Sequence, residues 1–294
     1  MSVRIHLSIV VLFTACSVSL TAQDRVQWKF ATGQTLNYLI QQKMETSTRL
    51  GQQIVKQNVS QNIDMSWKTL GNGASGAVVE QVFKRVRLRM EGGGAGTVEF
   101  DSDKPNPPNN PVLAAMAKSF SNIVGQAFQL TMTPNGTVSN VTIPKQLLDA
   151  VKDSQAGREG VLTEQMLKDM MKKSAVMLPA EPVAVGDQWK TSQVVDMPYG
   201  TMTVNSEMTY AKKEDGIAII NFVPTVTIQA RDQIPVKVEL TSAAGRGQIK
   251  FDLNQGVVNT SILELKLEMA ISTNGQKIPQ TIHNLTAMTL KKPE

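Results

Sequence analysis

The sequence predicts a mainly β protein of the α+β kind: long antiparallel strands in a curved sheet or incomplete barrel, with helices inserted in the middle third. Three observations carry this reading. Period-two alternation of apolar and polar residues dominates the chain on both sides of residues 111–177. Turn-forming Asn-Gly and Asp-Gly pairs punctuate the alternating runs. Apolar residues at helical spacing concentrate between those two β-rich stretches.

The chain opens on an export signal. Arg4 supplies the positive start, and Ile5 to Val18 is apolar apart from His6, Ser8, Thr14 and Ser17. Ser19-Leu20-Thr21-Ala22 then gives a small-residue exit. The run is too short for a stable membrane span. Residues 1–22 are therefore expected to be removed after Ala22, leaving a protein of the periplasm or the medium. Phe13-Thr14-Ala15-Cys16 roughly resembles a bacterial lipobox, so lipid anchoring at Cys16 is the rival outcome.

The strands follow. Val78, Val82, Val86, Leu88 and Met90 share one parity with Glu80 and Lys84. Met202, Val204, Met208 and Tyr210 alternate with Thr201, Thr203, Asn205, Glu207 and Thr209. Leu263, Leu265, Leu267 and Met269 alternate with Ile262, Glu264, Lys266 and Glu268. One dry and one wet face per strand is the mark of antiparallel sheets. The turns are expected at Gly71-Asn72-Gly73, Pro134-Asn135-Gly136, Asp215-Gly216, Asn254-Gln255-Gly256 and Asn274-Gly275.

The helices are expected at Pro111–Gln126, Ile143–Asp153 and Thr163–Met177, the last ended by Leu178-Pro179-Ala180-Glu181-Pro182. The chain then divides into residues 23–180, β-rich with inserted helices, and 181–294, an antiparallel half, which could also form one continuous domain. A weak repeat suggests duplication. Gly96-Thr97-Val98-Glu99-Phe100-Asp101 resembles Gly247-Gln248-Ile249-Lys250-Phe251-Asp252, and Trp28 near Gly33-Gln34 resembles Gly186-Asp187-Gln188-Trp189. Each half would be a four-strand meander ending in the Phe-Asp strand, followed by a further hairpin.

Scarcity limits the chemistry. The 294 residues include one Cys and two His, and the Cys and His6 leave with the signal. Thiol catalysis, disulfides and Cys or His metal sites go with them. His283 sits in an alternating strand, without a Gly-x-Ser-x-Gly elbow elsewhere, and reads as a solvated strand residue. The chain carries 30 basic and 25 acidic residues, spread too evenly for a nucleic-acid footprint. Glycoside hydrolysis needs only two carboxylates. Glu80, Glu99, Asp101, Glu207 and Glu239 are candidates, though nothing in their spacing sets two at catalytic separation. Asp101, Asp103, Asn106 and Asn109 offer oxygens to calcium, yet three prolines explain the same loop as a rigid connector. No catalytic, cofactor-binding or metal-ligating set is assigned.

Two groups remain. Arg85, Arg87 and Arg89 share a strand parity and could bind an anion, or form a solvated face near Glu91 and Glu80. Met166, Met170, Met171, Met202 and Met208 fall on apolar faces, where thioethers suit either core filling or an adaptable ligand surface.

Several blocks carry a family resemblance: Trp28-Lys29-Phe30 with Gly33-Gln34-Thr35-Leu36-Asn37-Tyr38, Asp64-Met65-Ser66-Trp67, Val98 to Asp103, Phe128 to Gly136, Leu178-Pro179 with Gly186-Asp187-Gln188-Trp189, and Pro198 to Met202. Over roughly residues 26–290 the chain resembles an uncharacterised family of exported bacterial proteins common in planctomycetes, domain of unknown function 6263. The resemblance implies export and an envelope setting, and brings no functional residues with it. The expectation is a non-enzymatic envelope protein binding a lipid or other apolar small molecule, without cofactor or nucleic acid. The alternatives are a structural or interaction module and a carboxylate-dependent hydrolase.

Overall fold

The computed structural model describes residues 22–93, 96–104, 114, 120–153, 164–172, 175–197, 200–231, 236–273 and 275–292. The expected signal, Cys16, Asn106 and Asn109 lie outside the described residues. So do the side chains of Met166 and Met170. No helix among the described residues is long and apolar enough to cross a membrane.

The strands are β1 (Thr35–Leu50), β2 (Gln53–Gly73), β3 (Gly76–Gly92), β4 (Thr97–Asp101), β5 (Ala127–Met132), β6 (Val138–Thr142), β7 (Gln188–Met197), β8 (Gly200–Glu214), β9 (Ile217–Ala230), β10 (Val236–Asp252), β11 (Val257–Thr273) and β12 (Gln276–Leu290). Among the described residues, two helices, α1 (Lys145–Asp153) and α2 (Glu164–Lys172), lie between β6 and β7. The mainly β reading with helices in the middle third is thus what the chain forms. The turn chemistry holds as well. Asp215 and Gly216 both take positive φ, 49° and 78°, the signature of a two-residue type I′ hairpin between β8 and β9.

All strands join one antiparallel sheet, in the order β6-β5-β3-β2-β1-β12-β11-β10-β9-β8-β7, with β4 beside β3 off this path. Each half has the expected four strands plus a hairpin. The pairing differs between them. β10 lies within the path, whereas β4 has only five residues and takes the Arg87–Glu91 end of β3, while β5 takes the Ala77–Val82 end. The matched Phe-Asp strands therefore occupy inequivalent places. β1 and β12 pair from Tyr38↔Leu290 to Thr48↔Gln280, so the sheet is continuous across the two halves.

The sheet is open, with β6 and β7 as its edges. Laid flat, eleven strands in path would hold those edges about 48 Å apart at about 4.8 Å per strand. α2, about 13 Å long at 1.5 Å per residue, packs against both. The sheet is therefore curled almost round on itself, with α2 in the gap. Leu167 and Met171, one helical turn apart, are the buried side chains of α2, and Leu147 and Val151 do the same for α1.

The core fills one end of the concave face. Trp28, Trp67, Tyr38 and Phe251 form its aromatic centre, with Trp28 5.7 Å from Trp67 and 5.9 Å edge-on from Phe251. Trp28 belongs to no strand. Its segment runs across the end of the sheet and is tied down on both sides. The Trp28 and Lys29 amides donate to Pro134 O and Gly256 O, in the β5–β6 and β10–β11 turns. Asp24 exchanges backbone bonds with Val183, and its carboxylate accepts from Tyr210 Oη (2.8 Å) and Lys213 Nζ (2.6 Å). Burial pushes the Asp24 carboxyl up, but these two hydrogen bonds and the lysine charge outweigh it and hold the group below the usual carboxylate range.

Two irregularities shape the concave face. β2 and β3 shift register between Asp64↔Arg85 and Met65↔Phe83, which makes Lys84 an extra residue on β3. The single parity expected for Val78 to Met90 is thereby corrected. Ala77, Val79 and Gln81 are buried before the bulge, and Val86 and Leu88 after it. The second irregularity separates β9 from β10, which pair only from Asp252↔Ile217 to Gly247↔Phe222. Beyond that point Pro224 has no N–H to donate. Gly245 and Gly247 leave room for the side chains opposite: a Cβ on Gly247 would lie 2.0 Å from the Phe222 ring, and one on Gly245 would lie 2.6 Å from Pro224 Cγ. The two arms meet through their inner side chains, with Met202, Val204, Val226 and Ile228 against Val238, Leu240, Leu267 and Met269.

Candidate functional site

A cleft of about 290 Å³ lies on the concave face, next to the core. Seven strands contribute to its lining: Ile40 from β1, Thr191 and Gln193 from β7, Val204, Ser206 and Met208 from β8, Phe222 and Pro224 from β9, Ile249 from β10, Ser261 and Leu263 from β11, and Thr286 and Met288 from β12. Residues 175–177, the segment after α2, form the remaining wall. That wall is latched from both sides. Val176 O accepts from Trp28 Nε1 (3.1 Å), and the Leu178 amide donates to Asn135 O (2.9 Å).

Register explains why distant residues converge here. Met208↔Phe222, Ile249↔Ser261, Ser261↔Met288 and Met288↔Ile40 are directly opposed pairs. Each pair points to the same face, and two adjacent rows across the sheet, Ile40-Met288-Ser261-Ile249 and Thr286-Leu263-Gly247-Phe222-Met208, bring these side chains together. The lining is apolar with hydroxyl and amide groups among it, and none of the described residues that form it is charged. A half-buried surface of this kind desolvates hydrocarbon at no electrostatic cost and offers hydrogen bonds to neutral polar groups.

Of the methionines singled out in the sequence, Met208 lines this cleft. Met202 lies between the two arms, and Met171 is buried in the core beside it. The side chains of Met166 and Met170 are outside the described residues. Ile40, Phe222, Ile249, Leu263 and Met288 were not anticipated. Each alternates within a strand, so the pattern marks it as inward-facing, but only the strand order places it beside the others.

The arginine row is on the convex face, and each of its guanidiniums pairs with a carboxylate. Arg85 grips Asp101 with Nε at 2.9 Å and Nη2 at 2.6 Å, and reaches Asp103 at 3.1 Å. Arg87 donates to Asp64 at 2.9 Å, and Arg89 to Glu91 and Glu99. Lys291 adds a contact to Asp64. Four cations thus meet five carboxylates, which is not the cationic face an anion requires. The hydrogen bond from Arg85 holds the Asp101 carboxyl down at about 2, against an opposing push from burial. A carboxyl depressed on folding stabilises the fold above its unfolded value of about 4, and that contribution is lost as pH falls from about 4 to about 2. Urea midpoints measured across that window should show Arg85→Gln less stable than the unaltered chain near pH 5, with the gap closing toward pH 2. A gap that stays constant would mean the pair contributes nothing through ionisation.

The remaining candidates are dispersed. His283 lies on the convex face with Nε2 3.2 Å from Glu264, which also pairs with Arg246 at 2.8 Å. Hydrogen bonds from Arg246 and then His283 hold Glu264 below its usual range. The five carboxylates considered for hydrolysis sit on β3, β4, β8 and β10, and four of them are tied to cations: Glu99 and Asp101 as above, Glu207 to Lys190 and Glu239 to Lys277. No group of three His, Cys, Asp or Glu with metal-binding geometry occurs among the described residues.

A family model described as "Family of unknown function (DUF6263)" matches residues 75–258. The chain belongs to this family. The DUF6263 match runs from the start of β3 into β11, narrower than the span over which the sequence resembles it. It includes the β7–β10 walls of the cleft and the 175–177 segment, and leaves Ile40, Ser261, Leu263, Thr286 and Met288 outside. No curated protein matches the chain. Among solved structures, a DUF1329 family protein from Desulfovibrio piger is 11% identical, over 86% of this chain and 84% of that one, with a TM-score of 0.17. Superposition at that level carries no argument.

Proposed function

We propose that this DUF6263 protein is exported and non-enzymatic, and that it holds a neutral apolar ligand, such as a lipid acyl chain, in the concave cleft. The observation that carries the reading is the lining itself. Side chains from seven strands converge there and none of the described ones is charged, on a protein whose other surface is a lattice of ion pairs. General acid–base or nucleophilic chemistry needs a titratable or activated group in the site, and the cleft offers only Ser, Thr and Gln with no base beside them. At about 290 Å³ the volume is at the lower end for small-molecule sites. It suits a short apolar segment whose remainder leaves the cleft. The Arg4-to-Ala22 signal supports export.

Adjacent residues on opposite faces provide the test. Ser261 lines the cleft and Ile262 faces outward, 43% exposed. Ser261→Trp should weaken binding of an apolar fluorescent dye by roughly tenfold or more, about 1.4 kcal/mol. Ile262→Trp should leave it unchanged. Native mass spectrometry of the chain purified from bacteria should show a co-purifying apolar molecule that Ser261→Trp removes. Absence of any adduct, together with dye binding indifferent to Ser261→Trp, would sink the reading.

A further inference from the structure

We infer that the tip of the β1–β2 hairpin docks into an anionic phospholipid bilayer. The hairpin outreaches the strand beside it. β3 stops at Gly92, opposite Gln57, and the β1–β12 pairing stops at Thr48↔Gln280, one step before Pro279, which has no N–H to offer. Among the described residues, Arg49 to Val55 therefore pairs only within the hairpin, around the tight Gly51-Gln52 turn in which Gly51 has φ of 62°.

This tip exposes two large apolar side chains, Leu50 at 46% and Ile54 at 52%. They point to opposite faces. Leu50 shares the concave parity of Tyr38 and Ile40, and Ile54 lies opposite Arg49 on the convex parity. A neighbouring strand covers an edge of a hairpin, and a folded partner packed on it covers one face. A medium that surrounds the tip covers both, and the acyl region of a bilayer is such a medium. The flanking charge selects the lipid. Arg49 and Lys56 are exposed, form no ion pair among the described residues, and stand within a stretch from Thr46 to Ile63 that contains no Asp or Glu. Their aliphatic stems follow the tip inward while the charges meet phosphate.

β1 runs unbroken from Leu50 to Ile40 in the cleft, a distance of about 33 Å at about 3.3 Å per residue. Docking would thus set the cleft above the bilayer along a single strand. The inference does not depend on the cleft being occupied.

The test is flotation of the chain beginning at Gln23, which keeps every described strand and the Asp24 anchor. The vesicles are phosphatidylcholine alone, or phosphatidylcholine with an equal part of phosphatidylglycerol. The chain should float with the mixed vesicles and roughly fivefold less with the neutral ones. Leu50→Ser combined with Ile54→Ser should abolish flotation, and Arg49→Gln combined with Lys56→Gln should remove the preference for anionic lipid. Leu50→Trp emission should shift to the blue on adding mixed vesicles, while Val223→Trp on the convex face should not respond. The inference is overturned if the unaltered chain does not float, or if it floats equally well with the double serine variant. It is also overturned if sedimentation shows a dimer that the serine variant dissociates, which assigns the tip to a second copy. Dye binding in the cleft is read separately, so failure here leaves the ligand reading standing.

Discussion

Trp28→Ala is expected to cost about 3–5 kcal/mol of folding stability, the range for emptying a buried aromatic site. The indole is 2% exposed and touches β2 through Trp67 and β10 through Phe251. No nearby element can collapse into the space, because the segment carrying it is pinned by hydrogen bonds to the β5–β6 and β10–β11 turns. Trp28→Phe separates packing from polarity. It keeps a ring between Trp67 and Phe251 but leaves Val176 O without its donor, at about 1–3 kcal/mol. It should also loosen the 175–177 wall and weaken dye binding in the cleft. Urea unfolding followed by circular dichroism gives both costs. An alanine variant within about 1 kcal/mol of the unaltered chain would show that this end of the sheet is not organised around the indole.

Gly136→Ala is the second large effect, at about 2–4 kcal/mol. Gly136 has φ of 87°, where any other L-residue is strained by about 1–2 kcal/mol. A Cβ there would also lie 2.2 Å from Val176 O, with Trp28 Nε1 at 3.1 Å. Gly33 is the control. Its φ is 84°, and a Cβ on it would meet nothing within 4 Å. Gly33→Ala should therefore show the backbone strain alone, and the difference between the variants reports the collision. Since Trp28→Phe and Gly136→Ala both disturb Val176 O, their combination should cost less than the sum. Strict additivity would contradict a shared point of action.

The fold was legible wherever a rule is local. Alternation at 201–210 and 262–269 gave the correct inward faces, and Asp215-Gly216 gave its hairpin. β3 misled because a bulge at Lys84 inverts the alternation, and lysine in a strand carries no sign of it. The cleft was legible only in part. Met208 could be marked as inward-facing, but its neighbours Met288 and Ile40 come from the two ends of the chain, brought together by the β1–β12 seam. The arginine row was legible in part: Glu91 lies on the same strand as Arg89, but Asp64 sits on β2 and Asp101 on β4, so those partners depend on the strand order. Trp28 was noticed as a recurring residue rather than as the centre of the core, since no periodicity surrounds it.

The β1–β12 seam also orders events in time. Tyr38 and Leu290 are about 250 residues apart, so this pairing closes one of the longest loops the chain permits. Until Gln276–Leu290 has been synthesised, β1 and β11 each keep an unpaired edge, and the protein is two meanders awaiting a joint. Of the described strands, the one that seals the sheet is the furthest along the chain. Before β12 is available the two meanders cannot join into one sheet. The same arrangement carries a hazard: a product truncated before β12 presents two strand edges at the centre of the sheet, where nothing shields them from pairing with another molecule.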